Sequence, residues 1–228
     1  MVETMLRRGR RGEAGRMRSA AVEYAALGWP VCQGAFPRQH GSRRPTRASA
    51  RDTSRACSCD RIGCPAPGAH PTSPAWQIEA SRDPAEVGRW WQERPSANIV
   101  LVTGRVFDVL DVPTAAGTLA LARMDEAGAI PGPVALTADD RALFFVVTRG
   151  APADEDEWWS CHLDSEPDSF APVAGLRWHC RDSYVVGPPS RSGGGRAVHW
   201  IRDPKEHRLP DALRPLEFLA DTCDEVMR

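Results

Sequence analysis

Apolar residues recur with a helical period in four segments of the chain, namely 19–28, 81–94, 115–127 and 209–227. The second segment offers Ser81 or Asp83 as a helix cap and has Pro84 in its first turn, a combination typical of helix starts. The fourth contains Pro215, which has no amide hydrogen and predicts a bend. We therefore predict four helices, of which the last is bent.

Short apolar runs bounded by turn residues predict eight strands, at 29–32, 98–104, 106–112, 133–138, 142–148, 175–180, 183–189 and 197–203. The runs 98–104 and 106–112 have few polar positions, which indicates central strands covered on both faces. Gly104 and Arg105 at their junction predict a tight hairpin. The order of helices and strands predicts an α+β fold in which helices flank a mixed β-sheet.

Two stretches of the chain follow neither period. Residues 1–17 are rich in arginine and glycine and predict a flexible basic tail. Residues 33–75 are rich in arginine, cysteine and proline, and a loop of this length within a domain is usually functional, metal-bound or disordered. We therefore predict a single domain over residues 18–228 that carries the 33–75 loop as an insertion.

Composition limits the class of protein. Hydrophobic residues make up 42% of the 228 residues, which suffices for a core and excludes a fully disordered chain. No apolar run reaches the roughly 20 residues of a membrane span, and no apolar stretch of a secretory signal follows the N-terminal arginines. These features predict a soluble, cytoplasmic protein.

The net charge of −1 conceals a strong asymmetry. Residues 1–61 contain 13 arginines and five acidic residues, a net charge of +8, whereas residues 62–228 have a net charge of −9. Two interpretations are open. The basic part forms a surface that meets phosphate groups, or it folds onto the acidic part of the chain.

A cluster of metal-binding residue types lies in the long loop, in the segment CSCDRIGCPAPGAH. Cys57, Cys59, Cys64 and His70 together make the donor set of a tetrahedral Cys3His zinc site. His40 is a possible substitute ligand. The alternative is a loop of reduced, unliganded cysteines. Because four protein ligands would close the coordination sphere, we predict a structural rather than a catalytic zinc ion.

Carboxylates in the run 106–112 and before 183–189 are candidate ligands for a catalytic metal. Asp108 and Asp111 are three positions apart, so on a straight strand their side chains point to opposite faces and cannot readily bind one ion. Capping of the following helix is a competing interpretation of Asp111. Asp182 precedes the strand at 183–189, where it would face Asp111.

Arginines in loops and turns are candidate ligands for nucleic-acid phosphates. Arg181, Arg191 and Arg196 accompany a glycine run at 193–195, a composition that fits either an anion-binding rim or an ordinary turn. The residues predicted to contact nucleic acid are Arg43, Arg44, Arg47, Arg105 and Arg191.

Several segments in combination resemble a known family. They are ALGWPV after the first helix, SRDPAEVGRWWQERPSANIVLVTGRVFDVLDV, the strand ALFFVV, and SYVVGPPSRSGGG ahead of HWIRDP. Over residues 19–215 the chain resembles the bifunctional DNA primase/polymerase N-terminal domain of the archaeo-eukaryotic primase superfamily. The cysteine-rich insertion is similar to that of short, stand-alone actinobacterial members.

The resemblance implies a metal-dependent nucleotidyltransferase that uses Mg²⁺ or Mn²⁺. In that family the strand after T-G-R ends in D-x-D, a later strand carries a histidine, and a third acid precedes Y-V-V. Here Asp111 matches the first acid, Pro113 occupies the second position, and Ala142 or a close neighbour stands in place of the histidine. Asp182 matches the third acid approximately. The implied catalytic set is Asp111 and Asp182 with Asp108.

Three hypotheses about function follow. In the first, the protein performs template-dependent nucleotidyl transfer, and His162, His179 or His199 replaces the missing histidine in space. In the second, it is a catalytically silent module that binds nucleic acid. In the third, it is a zinc-stapled scaffold that keeps the fold. The expected partners are DNA or nucleotides and replication proteins, and the sequence leaves the oligomeric state open.

Overall fold

The computed structural model describes residues 2–38, 56–148, 175–192 and 196–228. The helices in these residues are α1 (Val2–Ala26), α2 (Trp76–Glu79), α3 (Pro84–Glu93), α4 (Thr114–Glu126) and α5 (Leu213–Met227). The strands are β1 (Val31–Gly34), β2 (Pro37–Arg38), β3 (Ala56–Cys57), β4 (Asn98–Val102), β5 (Phe107–Pro113), β6 (Val134–Leu136), β7 (Arg141–Val147), β8 (Arg177–His179), β9 (Tyr184–Gly187) and β10 (His199–Arg202). None of the helices described here is long and apolar enough to cross a bilayer.

The helix predicted at 81–94 is confirmed as α3. Asp83 is its cap, because the Asp83 carboxylate accepts a hydrogen bond from the amide of Ala85 at 2.8 Å. Pro84 follows at the first helical position, where a missing amide hydrogen leaves no bond unmade. The alternative cap, Ser81, instead donates from its hydroxyl to the Glu86 carboxylate at 2.6 Å.

Two helices begin elsewhere than predicted. The first starts at Val2 instead of Ser19, so the stretch predicted as a tail continues α1. Its many arginine, glutamate, methionine and alanine residues favour a helix enough to offset the glycines. The last starts at Leu213, which places Pro215 in the first turn of α5, where the amide would lack a helical partner anyway. The bend predicted at Pro215 was therefore wrong.

The α+β prediction is confirmed, but the strands form three sheets instead of one. The strand orders are β1-β4-β9, β10-β6-β7-β5-β8 and β2-β3. The strand pairs with a defined register are antiparallel, as in β5, where Leu110 lies opposite Phe144 of β7 and Trp178 of β8. β4 and β5 each lie between two other strands and are buried along nearly their whole length, as their sequences predict.

The tight hairpin predicted between β4 and β5 was wrong. β4 pairs with β1, with Val31 opposite Leu101, whereas β5 pairs with β7 and β8. The amide of Gly104 does donate to the Phe107 carbonyl at 2.9 Å, so the chain makes a turn at the predicted place. The turn nevertheless leads to a different set of strand partners, because each strand is pinned by neighbours remote in sequence.

The contacts of the chain define two compact units. One comprises Met1–Leu101 and Val186–Val198, and the other comprises Val102–Val185 and His199–Arg228. Two of the three boundaries fall within strands β4 and β9, and the third falls at the start of β10. The single domain predicted over 18–228 stays a prediction.

A hydrophobic core lies on one face of the five-stranded sheet in the second unit. Leu110 and Val112 of β5, Phe144 of β7 and Trp178 of β8 point to this face and pack with buried residues of α4 and α5. Alternation along a strand places every second residue of β5 on the other face. That opposite face carries the candidate site.

Candidate functional site

Asp111 lies on the sheet face opposite the helix-covered core. It is buried, with 8% of its side chain exposed, and it stands between Leu143 of β7 and Arg177 of β8. Residues directly opposite one another on neighbouring antiparallel strands share a face, so the side chains of these neighbours flank Asp111 on both sides. The site is therefore set by the pairing of three strands.

Arg141 binds Asp111 directly. The register places Arg141 of β7 opposite Pro113, two positions beyond Asp111 on the same face. Its Nε donates to Asp111 Oδ1 at 2.7 Å, and its Nη2 donates to the Asp111 carbonyl at 3.0 Å and to the Gly175 carbonyl at 2.7 Å. The guanidinium thus reaches a carboxylate and two carbonyls at once, a geometry suited to its planar set of donors.

His179 contacts the other carboxylate oxygen of Asp111. Its Nε2 lies 3.3 Å from Asp111 Oδ2, and its Nδ1 lies 3.1 Å from the hydroxyl of Ser183. Of the three histidines predicted as substitutes, His179 is therefore the one placed next to Asp111, while His162 is outside the described residues. His199 lies on β10 and is exposed.

The ionisation of Asp111 reflects these neighbours. Burial by itself would raise the pKa of the Asp111 carboxyl, but the hydrogen bond and charge of His179 and the charge of Arg141 outweigh burial and lower the pKa below its usual value. Asp111 is consequently a carboxylate at neutral pH, compensated by nitrogen donors on both oxygens.

A catalytic Mg²⁺ or Mn²⁺ ion does not fit this donor set. Such ions take oxygen ligands, and two-metal transfer needs several carboxylates that converge on ions about 3.5–4 Å apart. Here both oxygens of Asp111 face nitrogen donors, and Pro113 supplies no side-chain ligand. A guanidinium already provides the positive charge that a metal would bring.

Asp108 points away from Asp111. Its opposite residue on β7 is Val146, which belongs to the helix-covered core, so Asp108 lies on the α4 and α5 side of the sheet. In this register the two acids face opposite sides of the sheet, as their spacing of three positions predicts, so they cannot readily bind one ion. Ala142 also lies on the core side, so a histidine there would not face Asp111, whereas its neighbour Arg141 does.

Asp182 stands in an exposed turn before β9. Its φ is +62°, and its carboxylate lies 3.8 Å from Nε of Arg181 in a solvent-exposed ion pair. Asp182 lines a small cavity of about 280 Å³ together with Val102, Thr103, Gly104, Arg105 and Arg181. Asp111 is not among the described residues that line this cavity. Asp111 is buried beside Arg141, whereas Asp182 is exposed beside Arg181.

Gly104 is required by the close packing of this cavity wall. Its φ is +77°, and a Cβ atom at this position would lie 2.2 Å from Cα of Arg181. The absence of a side chain lets the turn 103–105 approach the turn that carries Arg181. Arg105 projects from the same turn and is exposed, as is Arg181.

The predicted nucleic-acid contacts are only partly within the described residues. Arg105 lines the cavity, whereas Arg191 donates from Nε to the Glu13 carboxylate of α1 at 2.6 Å. Arg191 also exchanges backbone hydrogen bonds with the buried side chain of Asn98. Arg43, Arg44 and Arg47, the substitute ligand His40 and the glycine run 193–195 lie outside the described residues.

The four predicted zinc ligands come together in one cluster. One donor atom from each of Cys57, Cys59, Cys64 and His70 lies within 4.8 Å of all the others. His70 Nε2 is 3.3 Å from Cys57 Sγ and 3.5 Å from Cys64 Sγ. Tetrahedral zinc, with bonds of about 2.3 Å to sulfur and about 2.0–2.1 Å to nitrogen, would place such atoms about 3.6 Å apart. The donor set and its spacing fit zinc.

Local backbone geometry holds this cluster. Nδ1 of His70 lies 2.8 Å from the Pro71 carbonyl, a bond that places the hydrogen on Nδ1 and leaves the Nε2 lone pair facing the sulfurs. Asp60 adopts φ of +57° in the turn between ligands, and its carboxylate pairs with Arg38 of β2. A hydrogen bond from the backbone amide of Arg61, against a smaller effect of burial and together with hydrogen bonds within the cluster, lowers the pKa of the Cys59 thiol to about 7, which favours the thiolate.

Arg141 is the site residue that the sequence did not reveal. It stands before the apolar run of β7, where it resembles any charged residue at a strand end. Its role depends on the β5–β7 register, which places it opposite Pro113, and no local pattern encodes that register.

Comparison with known proteins gives one finding. A family model described as "Bifunctional DNA primase/polymerase, N-terminal" (Prim-Pol) matches residues 21–217 of the chain. No curated protein matches the sequence significantly.

Proposed function

The chain belongs to the bifunctional DNA primase/polymerase N-terminal family, and we propose that it binds nucleic acid without catalysing metal-dependent nucleotidyl transfer. The family supports a DNA primase/polymerase-like function and implies binding of nucleic acid or nucleotides. Within that function, the protein is proposed to act as a catalytically silent binding module.

The observation that carries the proposal is the state of Asp111. Phosphoryl transfer depends almost wholly on positioning and on metal ions that neutralise developing charge. Arg141 and His179 engage the two oxygens that a metal would need, and the neighbouring family position is Pro113. A metal would have to displace a guanidinium held by three hydrogen bonds.

Binding of nucleic acid is supported by the small cavity beside the turn 103–105. Arg105 and Arg181 are exposed at this cavity, and the backbone comes close to the surface at Gly104. Guanidinium groups are suited to bidentate contacts with phosphate. The proposed ligand is the phosphate backbone of single-stranded DNA, with affinity that falls as salt increases.

The experiment combines primer extension with a binding assay. Purified protein is incubated with a primed template, Mn²⁺ and the four dNTPs, and a fluorescein-labelled oligonucleotide measures binding by anisotropy at several salt concentrations. The variants are Asp111→Asn, which keeps the shape of the side chain, and Arg105→Ser combined with Arg181→Ser. Arg123→Ser, in an exposed ion pair elsewhere, is the matched control.

We expect no extension by the wild type, salt-dependent DNA binding that persists in Asp111→Asn, and weaker binding only in the Arg105/Arg181 variant. Extension by the wild type that Asp111→Asn abolishes would instead establish nucleotidyl transfer, the second candidate function, which family membership favours. Circular dichroism checks that each variant is folded.

We also propose that the Cys3His cluster binds a structural zinc ion. The ligand identities and the spacing described above support this assignment, and a metal would brace a loop that has little apolar content of its own. We expect about one equivalent of zinc after gel filtration and a loss of zinc in Cys64→Ser. Cys32→Ala, which changes a buried cysteine outside the cluster, should keep the metal. The assignment would be contradicted if the purified wild type contained no zinc, or if the two variants contained equal amounts of zinc.

A further inference from the structure

A groove of about 800 Å³ lies in the first unit. Its walls come from β1, from residues 72–74, and from α2 and α3. Its lining includes Gln33, Trp76, Ile78, Glu79, Trp90 and Glu93. Neither the metal cluster nor the site around Asp111 uses these side chains. We call this surface the acidic groove.

The acidic groove offers apolar contact area. Trp76 and Trp90 are half-buried in its walls, and Ile78 is 85% exposed. An isoleucine that exposed and two indole rings at one concave surface provide a place for an apolar side chain. The groove volume is within the range of sites that hold a small molecule or several side chains.

The charges of the groove select against phosphate. Among the described residues, its lining contains Glu79, Glu86 and Glu93, against the single cation Arg94. Burial, with a smaller contribution from the charge of Glu79, raises the pKa of the Cys32 thiol in the groove wall to about 12. A polyanion would meet repulsion here, whereas a guanidinium or ammonium group would find carboxylates.

Hydrogen bonds between neighbouring segments hold the walls of the groove in place. Gln33 donates from Nε2 to the Trp90 backbone carbonyl at 2.8 Å. The backbone carbonyl of Gln33 accepts from both the amide and the hydroxyl of Thr72 at 3.1 Å. The backbones of Val31 and Ser81 exchange two hydrogen bonds at 2.9 Å. A preformed surface lowers the ordering cost of binding.

From this combination we propose that the acidic groove binds a cationic segment of a partner protein, with an apolar side chain against Trp76, Trp90 and Ile78 and a basic side chain against Glu79 and Glu93. The occupant is a peptide segment, because one extended chain presents both an apolar side chain and a basic side chain to the groove. The groove would connect this family member to a protein partner through residues other than Arg105 and Arg181, which the proposed function assigns to DNA.

The test measures binding of a fluorescein-labelled peptide of alternating leucine and arginine to the full chain by anisotropy. A peptide of alternating leucine and glutamate is the charge control. The test variants are Glu79→Gln combined with Glu93→Gln, and Ile78→Ser. The matched control combines Glu206→Gln with Glu217→Gln, two exposed glutamates outside the groove.

We expect the arginine peptide to bind the wild type, with a Kd raised about tenfold by the Glu79/Glu93 variant, since exposed charge contacts are individually weak. Ile78→Ser should also raise the Kd, and the Glu206/Glu217 variant should not. Equal weakening by the control variant would mean attraction to the acidic chain in general and would overturn the proposal. Loss of binding of a fluorescein-labelled oligo-dT, measured without the peptide, in Ile78→Ser but not in the Glu206/Glu217 variant would assign the groove to nucleic acid and would equally overturn the proposal.

Discussion

Replacing Arg141 with alanine tests whether its pairing with Asp111 is a structural element of the sheet. The substitution removes three hydrogen bonds, of which one reaches the Asp111 carboxylate and two reach backbone carbonyls. The side chain of Arg141 is only 19% exposed and that of Asp111 only 8%, so water cannot readily take the place of the guanidinium. Asp111 would remain as a buried carboxylate with His179 as its remaining side-chain hydrogen-bond partner.

The expected cost follows from the asymmetry of buried ion pairs. Removing one partner of such a pair costs about 3–5 kcal/mol, because the remaining charge stays buried without compensation. His179 keeps part of the compensation, so we expect the lower end, about 3 kcal/mol of unfolding free energy. The control is Arg123→Ala, whose ion pair with Glu225 is 38% and 56% exposed and should cost about 1 kcal/mol or less.

The effect should depend on pH in a defined direction. The folded-state pKa of Asp111 lies below its usual value, so the group stabilises the wild type above its unfolded-state pKa, about 3.9, and that contribution is lost as the pH falls through the folded-state pKa. Loss of Arg141 removes two of the interactions that lower the pKa of Asp111, so this pKa is higher in the variant than in the wild type, and protonation relieves the variant first as the pH falls. The difference in unfolding free energy should therefore shrink between pH 7 and about pH 4.

Urea unfolding followed by tryptophan fluorescence measures these free energies at both pH values. A difference between Arg141→Ala and the wild type no larger than that of Arg123→Ala at pH 7 would refute the assignment of a buried pair. A difference that grows as the pH falls would refute the explanation of its pH dependence.

Three other predictions concern residues outside the Asp111 pair. Asn98→Ala should lower the unfolding free energy by about 2–4 kcal/mol, because the buried Asn98 side chain hydrogen-bonds to two backbone carbonyls and one backbone amide. Chemical denaturation measures this loss, and a smaller loss would contradict the prediction. Gly104→Ala should destabilise clearly more than Gly128→Ala, because both have positive φ but only Gly104 has backbone atoms within 3 Å of a new Cβ; equal melting temperatures would contradict this. In metal-free protein, the rate at which iodoacetamide modifies Cys59 should rise with a midpoint near pH 7. Cys32 should stay almost unmodified at pH 8, since burial and Glu79 raise the pKa of Cys32 to about 12. Equal modification rates of the two cysteines by mass spectrometry would contradict both pKa directions.

The sequence was informative wherever a feature depends on near neighbours. Asp83 and Pro84 mark the start of α3, and the apolar runs correctly indicated that β4 and β5 are central strands. The period-two alternation of side chains along a strand also correctly indicated that Asp108 and Asp111 face opposite sides of the sheet. The ligands of the Cys3His cluster lie within 14 residues of one another, so a short loop suffices to assemble them.

Strand partners and the surroundings of Asp111 were decided by tertiary structure alone. Asp111 meets Arg141 across 30 positions and His179 across 68, and both contacts depend on the register of β5 against β7 and β8. Register is set by the packing of the whole sheet against α4 and α5, because a shift by one residue would turn Asp111 into the apolar core. The sequence by itself therefore determined most of the helices and strands, the family and the residues of the Cys3His cluster. Only the fold placed the guanidinium of Arg141 against the Asp111 carboxylate.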